Sequence, residues 1–188
     1  MGTFTEAIHR RKNGELEVEH VMLALDSKVQ GQGFARTFNK AMIKNVYRPA
    51  GVKRELLLAN IDVGGYTWGR EGYDWKSDDV DGLLEMQDRI HQARLTDSEI
   101  LNRVPAERRE EQRLLARELF RDLDGTVTED TDPDEELPDI IEMWPTPFEL
   151  SQLGRWPGAG KDDWWIGKSI MMGSNWWGVR DIDDDSDA

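Results

Sequence analysis

A mixed α/β (α+β) fold is what the sequence predicts: a twisted mixed sheet with flanking helices, plus a helical and acidic insertion. Three observations carry that expectation. Two extended runs meet at Asn13-Gly14, the strongest short signal for a hairpin. A glycine-rich turn then opens a segment of helical period, which is followed by a continuously apolar extended run. From residue 80 the apolar spacing is helical, until a tryptophan-rich segment near the end of the chain.

Taken in order, residues 3–10 and 15–26 flank Lys12-Asn13-Gly14 and read as paired strands, the second alternating from Leu16 to Leu25. Phe34, Phe38 and Met42 recur at i, i+4 and i+8, the spacing of one helix face. Pro49-Ala50-Gly51 ends that pattern, since proline lacks a donor and glycine favours a left-handed cap. Residues 52–61 read as a strand, and Leu56-Leu57-Leu58-Ala59 has the unbroken apolar character of a strand covered on both faces. A second short helix or turn, 62–71, leads to Gly72-Tyr73. Val80, Leu83, Leu84, Met86 and Ile90 predict an amphipathic helix over 80–95. Thr96 with Glu99 predicts a capping box, and Pro105 a third helix with Leu114, Leu115, Leu119 and Phe120 on one side.

Residues 122–142 are mostly acidic and polar and read as a solvated linker; residues 181–188 read as an acidic tail. Between them lie Trp144, Trp156, Trp164, Trp165, Trp176 and Trp177. Residues 164–174 are expected to supply a strand and a turn, with a second strand running through Val179 to complete the sheet. The alternative is an aromatic surface for a protein partner or a second copy of the chain, because Trp and Met favour interface cores. The resulting organisation is a core over 1–75, a helical insertion over 76–121, an acidic linker over 122–143, a Trp-rich segment over 144–180 and a tail over 181–188.

With 38 acidic and 24 basic residues the net charge is −14, which argues against a nucleic-acid binder, whose affinity comes from neutralising phosphates. An acidic surface suits a basic substrate such as a lysine side chain or a polyamine. The absence of cysteine excludes disulfides, thiolate zinc sites and a cysteine nucleophile. His9 and His91 have no partners by spacing, so no metal site is expected. No membrane span or signal-peptide pattern is read, and a cytoplasmic setting is expected.

The strand-to-helix turn is Gln30-Gly31-Gln32-Gly33-Phe34-Ala35. Such a turn presents backbone N–H groups at the positive end of a helix dipole, a site for phosphate. It has neither the three glycines of the dinucleotide fingerprint nor the Lys-Ser/Thr of a P-loop. It resembles the acetyl-CoA pyrophosphate loop of the GNAT superfamily of N-acetyltransferases, Gln/Arg-x-x-Gly-x-Gly/Ala. The run from Asn60 through Gly64-Gly65-Tyr66-Thr67-Trp68-Gly69-Arg70 to Gly72-Tyr73 is similar to the Asn-x-x-Ala…Tyr-x-x-x-Gly-Phe signature that follows in that family. It looks closer still to a GNAT variety found in actinobacterial and actinophage proteins, which adds the host cytoplasm or a virion to the expected settings. The resemblance covers residues 1–75.

The resemblance implies acetyl-CoA as cofactor, held by the backbone of Leu23-Ala24-Leu25, by Gln30, Gly31, Gln32, Gly33, Phe34 and Ala35, with Arg36 adding charge, and by Asn60. Glu19 stands eleven residues before Gln30, the offset of the glutamate base in histone-acetylating members, and is the candidate base. Glu15, Glu17 and Glu19 also alternate, as on a solvated strand face. His20 points to the opposite face and reads as a structural or surface residue. The family's tyrosine acid maps onto Trp68, which has no titratable proton, leaving Tyr66 as the candidate acid. Full members begin with another strand and two helices, whereas two residues precede Thr3 here, so the resemblance implies a trimmed domain or a later segment in that place. The expected function is acetyl-CoA-dependent N-acetyltransfer to an amine, either a small molecule or a protein lysine. The rival is a non-catalytic binding or assembly module on the same fold; a third reading, an acidic nucleic-acid mimic, rests on charge alone.

Overall fold

The computed structural model describes residues 2–25, 33–59 and 64–182. In chain order the elements are β1 (Gly2–Arg10), β2 (Leu16–Leu25), α1 (Phe34–Met42), a π-helical turn (Ile43–Tyr47), α2 (Arg48–Ala50), β3 (Val52–Ala59), α3 (Gly64–Arg70) and β4 (Asp74–Trp75). There follow α4 (Val80–Ala93), α5 (Glu99–Asn102), a 3₁₀ turn (Ala106–Arg108), α6 (Arg109–Leu123), α7 (Leu137–Met143), α8 (Pro147–Gln152), α9 (Ile166–Met171) and β5 (Trp176–Asp181). The fold is mixed α/β, with strand order β1-β2-β3-β5-β4. The chain divides into two compact units, one of residues 1–58 with 178–188 and one of residues 59–177.

In the first unit, Asn13-Gly14 makes the hairpin turn. Gly14 takes φ 90°, and its N–H donates to Arg11 O at 2.9 Å. β1 and β2 pair antiparallel with one irregularity: Thr5 faces Met22 and Glu6 faces His20, so Val21 is an extra, bulged residue. β2 and β3 are parallel, with the α1–α2 helical segment between them. Pro49 lies inside that segment rather than ending it; the break comes at Gly51, at φ 77°. A proline ring crowds the carbonyl four residues back, here Asn45, and the wider π turn at Ile43–Tyr47 accommodates it. One apolar cluster here comprises Val18, Ile43, Tyr47, Val52 and Ile182, flanked by Leu16 and Met42.

The second unit is helical and built around tryptophan. Trp75, Trp144, Trp165 and Trp176 are buried with Leu83, Met86, Ile90, Leu101, Ile166 and Ile170. Indole N–H groups of three find acceptors, Trp75 on Pro145 O (2.9 Å), Trp144 on Thr126 Oγ1 (3.0 Å) and Trp165 on Ser151 O (2.7 Å). Residues 164–174 do not form the expected strand and turn: Ile166–Met171 is the helix α9, and only Trp176–Asp181 is a strand. Every residue of α9 is buried, so its sequence carries no alternation of faces, and periodicity cannot tell a buried helix from a buried strand.

Three local expectations also change. The cap at residues 96–99 is Ser98, which accepts from Leu101 N at 3.0 Å, whereas a reciprocal capping box forms at Thr146 and Glu149. On α6 the buried residues are Gln112, Ala116 and Leu123, and Leu114 is exposed. Gln112 goes inside because its amide bridges Gly154 O and Ile166 N, each at 2.8 Å. The acidic stretch 122–142 contains α7 and buries Val127, Thr131 and Leu137, so it is anchored among its acids.

Candidate functional site

α1 begins at Gly33, which holds the left-handed conformation at φ 76°; a Cβ there would meet nothing within 4 Å. The glycine is therefore required by backbone conformation, not by crowding. The first turn of α1 contains no acidic residue, and its N-cap, Gly33, has no side chain with which to cap it; Arg36 lies in that turn, exposed. A helix start with a glycine cap and no acid in its first turn favours an anion. Gln30, Gly31, Gln32 and Asn60 lie outside the described residues. Phe34 is exposed and stacks on Phe38 at 5.8 Å, and Phe38 meets Phe4 edge-on at 4.7 Å. Ala35 is in the helical backbone of the same turn.

In the same β2–α1–β3 segment, where Phe38 of α1 meets Phe4 of β1, the sheet forks. The β2–β3 ladder pairs Leu16 through His20 with Val52 through Leu57, while β1 accompanies β2 as far as Leu25. Leu23, Ala24 and Leu25 thus lie on β2 beyond the last rung shared with β3, paired with Phe4, Thr3 and Gly2. The Val21 bulge sits at the branch point, one residue after the last rung.

Below the fork the two faces of β2 differ. Glu19 lies on the open face: its Oε2 is 3.2 Å from His9 Nε2, with side chains 29% and 50% exposed. Glu17 on the same face is 3.9 Å from Arg11 Nε. A carboxylate there is accessible to a substrate, and His9 gives it a partner that spacing did not reveal.

The other face holds a buried charged cluster. His20 Nε2 lies 3.2 Å from Glu55 Oε1; its Nδ1 lies 3.1 Å from Glu6 Oε1, at ion-pair distance but without hydrogen-bond alignment. Arg180 Nε donates to Glu55 Oε2 at 2.7 Å, and Tyr47 Oη donates to Glu6 Oε1. Glu55 is wholly buried and the His20 side chain is 7% exposed. Burial pushes the Glu6 carboxyl above the usual carboxylate range, the negative charge of Glu55 adds to the rise, and His20 opposes it. Glu6, Tyr47, Glu55 and Arg180 were not expected from sequence. One signal was present: Glu55 is a lone acid entering the apolar run 56–59.

Tyr66 lies in the second unit, on α3. Burial raises its phenol above the ordinary value, Arg70 opposing, with Arg70 NH1 donating to its hydroxyl at 3.4 Å. A phenol so placed keeps its proton. Trp68 packs edge-on against Tyr73 at 5.6 Å. The glycines of α3 do not loosen the helix; they let it be approached closely. A Cβ on Gly65 would fall 2.5 Å from Met171 O, and one on Gly69 would fall 3.0 Å from Pro147 O. Nearby, Lys168 Nζ donates to Lys161 O (2.6 Å) and Asp163 O (2.7 Å) and lies over the rings of Trp164, Trp165 and Tyr66.

Among the described residues no cluster of His, Asp or Glu could hold a metal ion, and no helix is long and apolar enough to cross a membrane. No family model, curated protein or solved structure matches the chain.

Proposed function

We propose that the first unit binds acetyl-CoA and transfers its acetyl group to an amine. The observation that carries the reading is the conjunction, in one β2–α1–β3 segment, of a glycine-capped, acid-free helix start at Gly33 with a fork between parallel strands. The helix start offers N–H groups to a pyrophosphate. Past the fork, the backbone at Leu23, Ala24 and Leu25 is released from β3 and can pair with a pantetheine arm and polarise the thioester carbonyl.

The chemistry then needs a base and an acid. Glu19, on the open face just below the fork, takes a proton from the ammonium of the acceptor. The free amine attacks the carbonyl carbon, the C–N bond forms, the C–S bond breaks, and the second proton that the nitrogen sheds passes through water to the departing thiolate; Tyr66, the acid the sequence suggested, belongs to the second unit. The acceptor is an amine of a small molecule or a protein lysine, and a cationic acceptor matches a chain of charge −14.

The test is thiol release from acetyl-CoA in the presence of spermidine, lysine or lysine-bearing peptides. Release by the native chain and a loss of about 10²-fold or more in Glu19→Gln, the size of a general-base contribution, support the reading. A folded chain that releases no thiol with any of these amines contradicts it.

A further inference from the structure

The cluster behind Glu19 has an order that its composition does not convey. Glu6 belongs to β1, His20 to β2, Glu55 to β3 and Arg180 to β5, so the groups form one chain across four adjacent strands. The links are 3.1 Å from Glu6 to His20, 3.2 Å from His20 to Glu55 and 2.7 Å from Glu55 to Arg180. Tyr47, from the helical segment, joins the same end as Glu6. His20 is also the last β2 residue laddered to β3, and Val21 after it is the bulge. The charged chain therefore lies along the final rung before the strands part.

We infer that Glu6, His20, Glu55 and Arg180 are a clasp that fixes the register and opening of the β2–β3 fork. Side chains alternate along a strand, so a one-residue slip of β2 would turn His20 to the open face and break both of its contacts. Such a slip would leave Glu55 and Glu6 buried without that partner, which is costly for charged groups. An apolar residue at position 20 would tolerate the slip far better, so what the charges supply is specificity. Under the acetyl-transfer reading, on which this part rests, the fork receives the thioester arm, and these four are positioning residues that never touch the substrate.

Hydrogen exchange on the full chain, with and without acetyl-CoA, tests the clasp. In His20→Leu, amides of residues 16–20 and 52–57 are expected to exchange about tenfold faster or more, while those of 83–90 in the second unit keep native rates. Glu6→Gln, which keeps the side chain's shape, should show a smaller change in the same places. Native rates at 16–20 and 52–57 in a folded His20→Leu protein overturn the clasp. If that variant is unfolded throughout, Glu6→Gln decides, and native rates in it overturn the clasp. Faster exchange in the variants, with no protection of the native chain by acetyl-CoA, upholds the clasp and contradicts the acetyl-transfer reading alone.

Discussion

At the scale of single residues, Gly33 and the acids of β1, β2 and β3 decide what this unit can do. Gly33 has room for a side chain but a backbone conformation that side chains resist. Gly33→Ala should therefore cost about 1 kcal/mol of stability, measured by urea unfolding, through strain alone. If the turn holds a pyrophosphate, Gly33→Glu should cost little more in stability yet abolish nucleotide binding, because it adds a negative charge where an anion sits. Equal loss of binding in both variants, in proportion to stability, would mean that the turn is only structural. On β2, neighbouring residues face different worlds: Glu19 is within reach of solvent and His9, while His20 is sealed between two carboxylates. Residue type alone could not have told which of the two would be enclosed.

At the scale of elements, close approach matters more than propensity. Gly65→Ala adds a residue that favours helices, yet its Cβ would fall 2.2 Å from Ser174 Oγ and 2.5 Å from Met171 O. The overpacking should outweigh the propensity gain, for a net loss of about 1–2 kcal/mol in chemical denaturation. An unchanged or raised stability would show that α3 can shift away from Met171. Asp79 ties two elements together: Oδ1 accepts from Gly82 N at 3.1 Å and caps α4, and Oδ2 accepts from Trp177 N at 2.6 Å at the start of β5. Burial raises its pKa above the ordinary 3.8, the two backbone hydrogen bonds opposing. A raised carboxyl contributes stability below its unfolded value and loses that contribution as pH rises through its folded value. The stability of the native chain relative to Asp79→Asn should thus fall as pH climbs from below 3.8 through the raised value, then level off. A difference that grows with pH would mean that the hydrogen bonds, not burial, govern the group.

At the scale of the whole molecule, the legible parts of the sequence were those governed by local rules. Asn13-Gly14 marked the hairpin, and the apolar runs marked β3 and α4. The helix start at Gly33 could be read for the same reason: a glycine between a strand and a helical stripe has few other uses. Where burial depends on distant partners, the reading failed. α9 looked like a strand because all its sides are covered, and Leu137 and Val127 were hidden in acidic surroundings. The Glu6–His20–Glu55–Arg180 chain joins segments up to 174 positions apart, and no local pattern announces it. We propose that the first unit holds acetyl-CoA at the Gly33 turn and the β2–β3 fork. Calorimetric titration of acetyl-CoA into the full chain, native and Gly33→Glu, tests it most directly. Micromolar binding by the native chain that disappears in the variant is the predicted result. No binding by a well-folded native chain, or equal binding by both proteins, would contradict the claim.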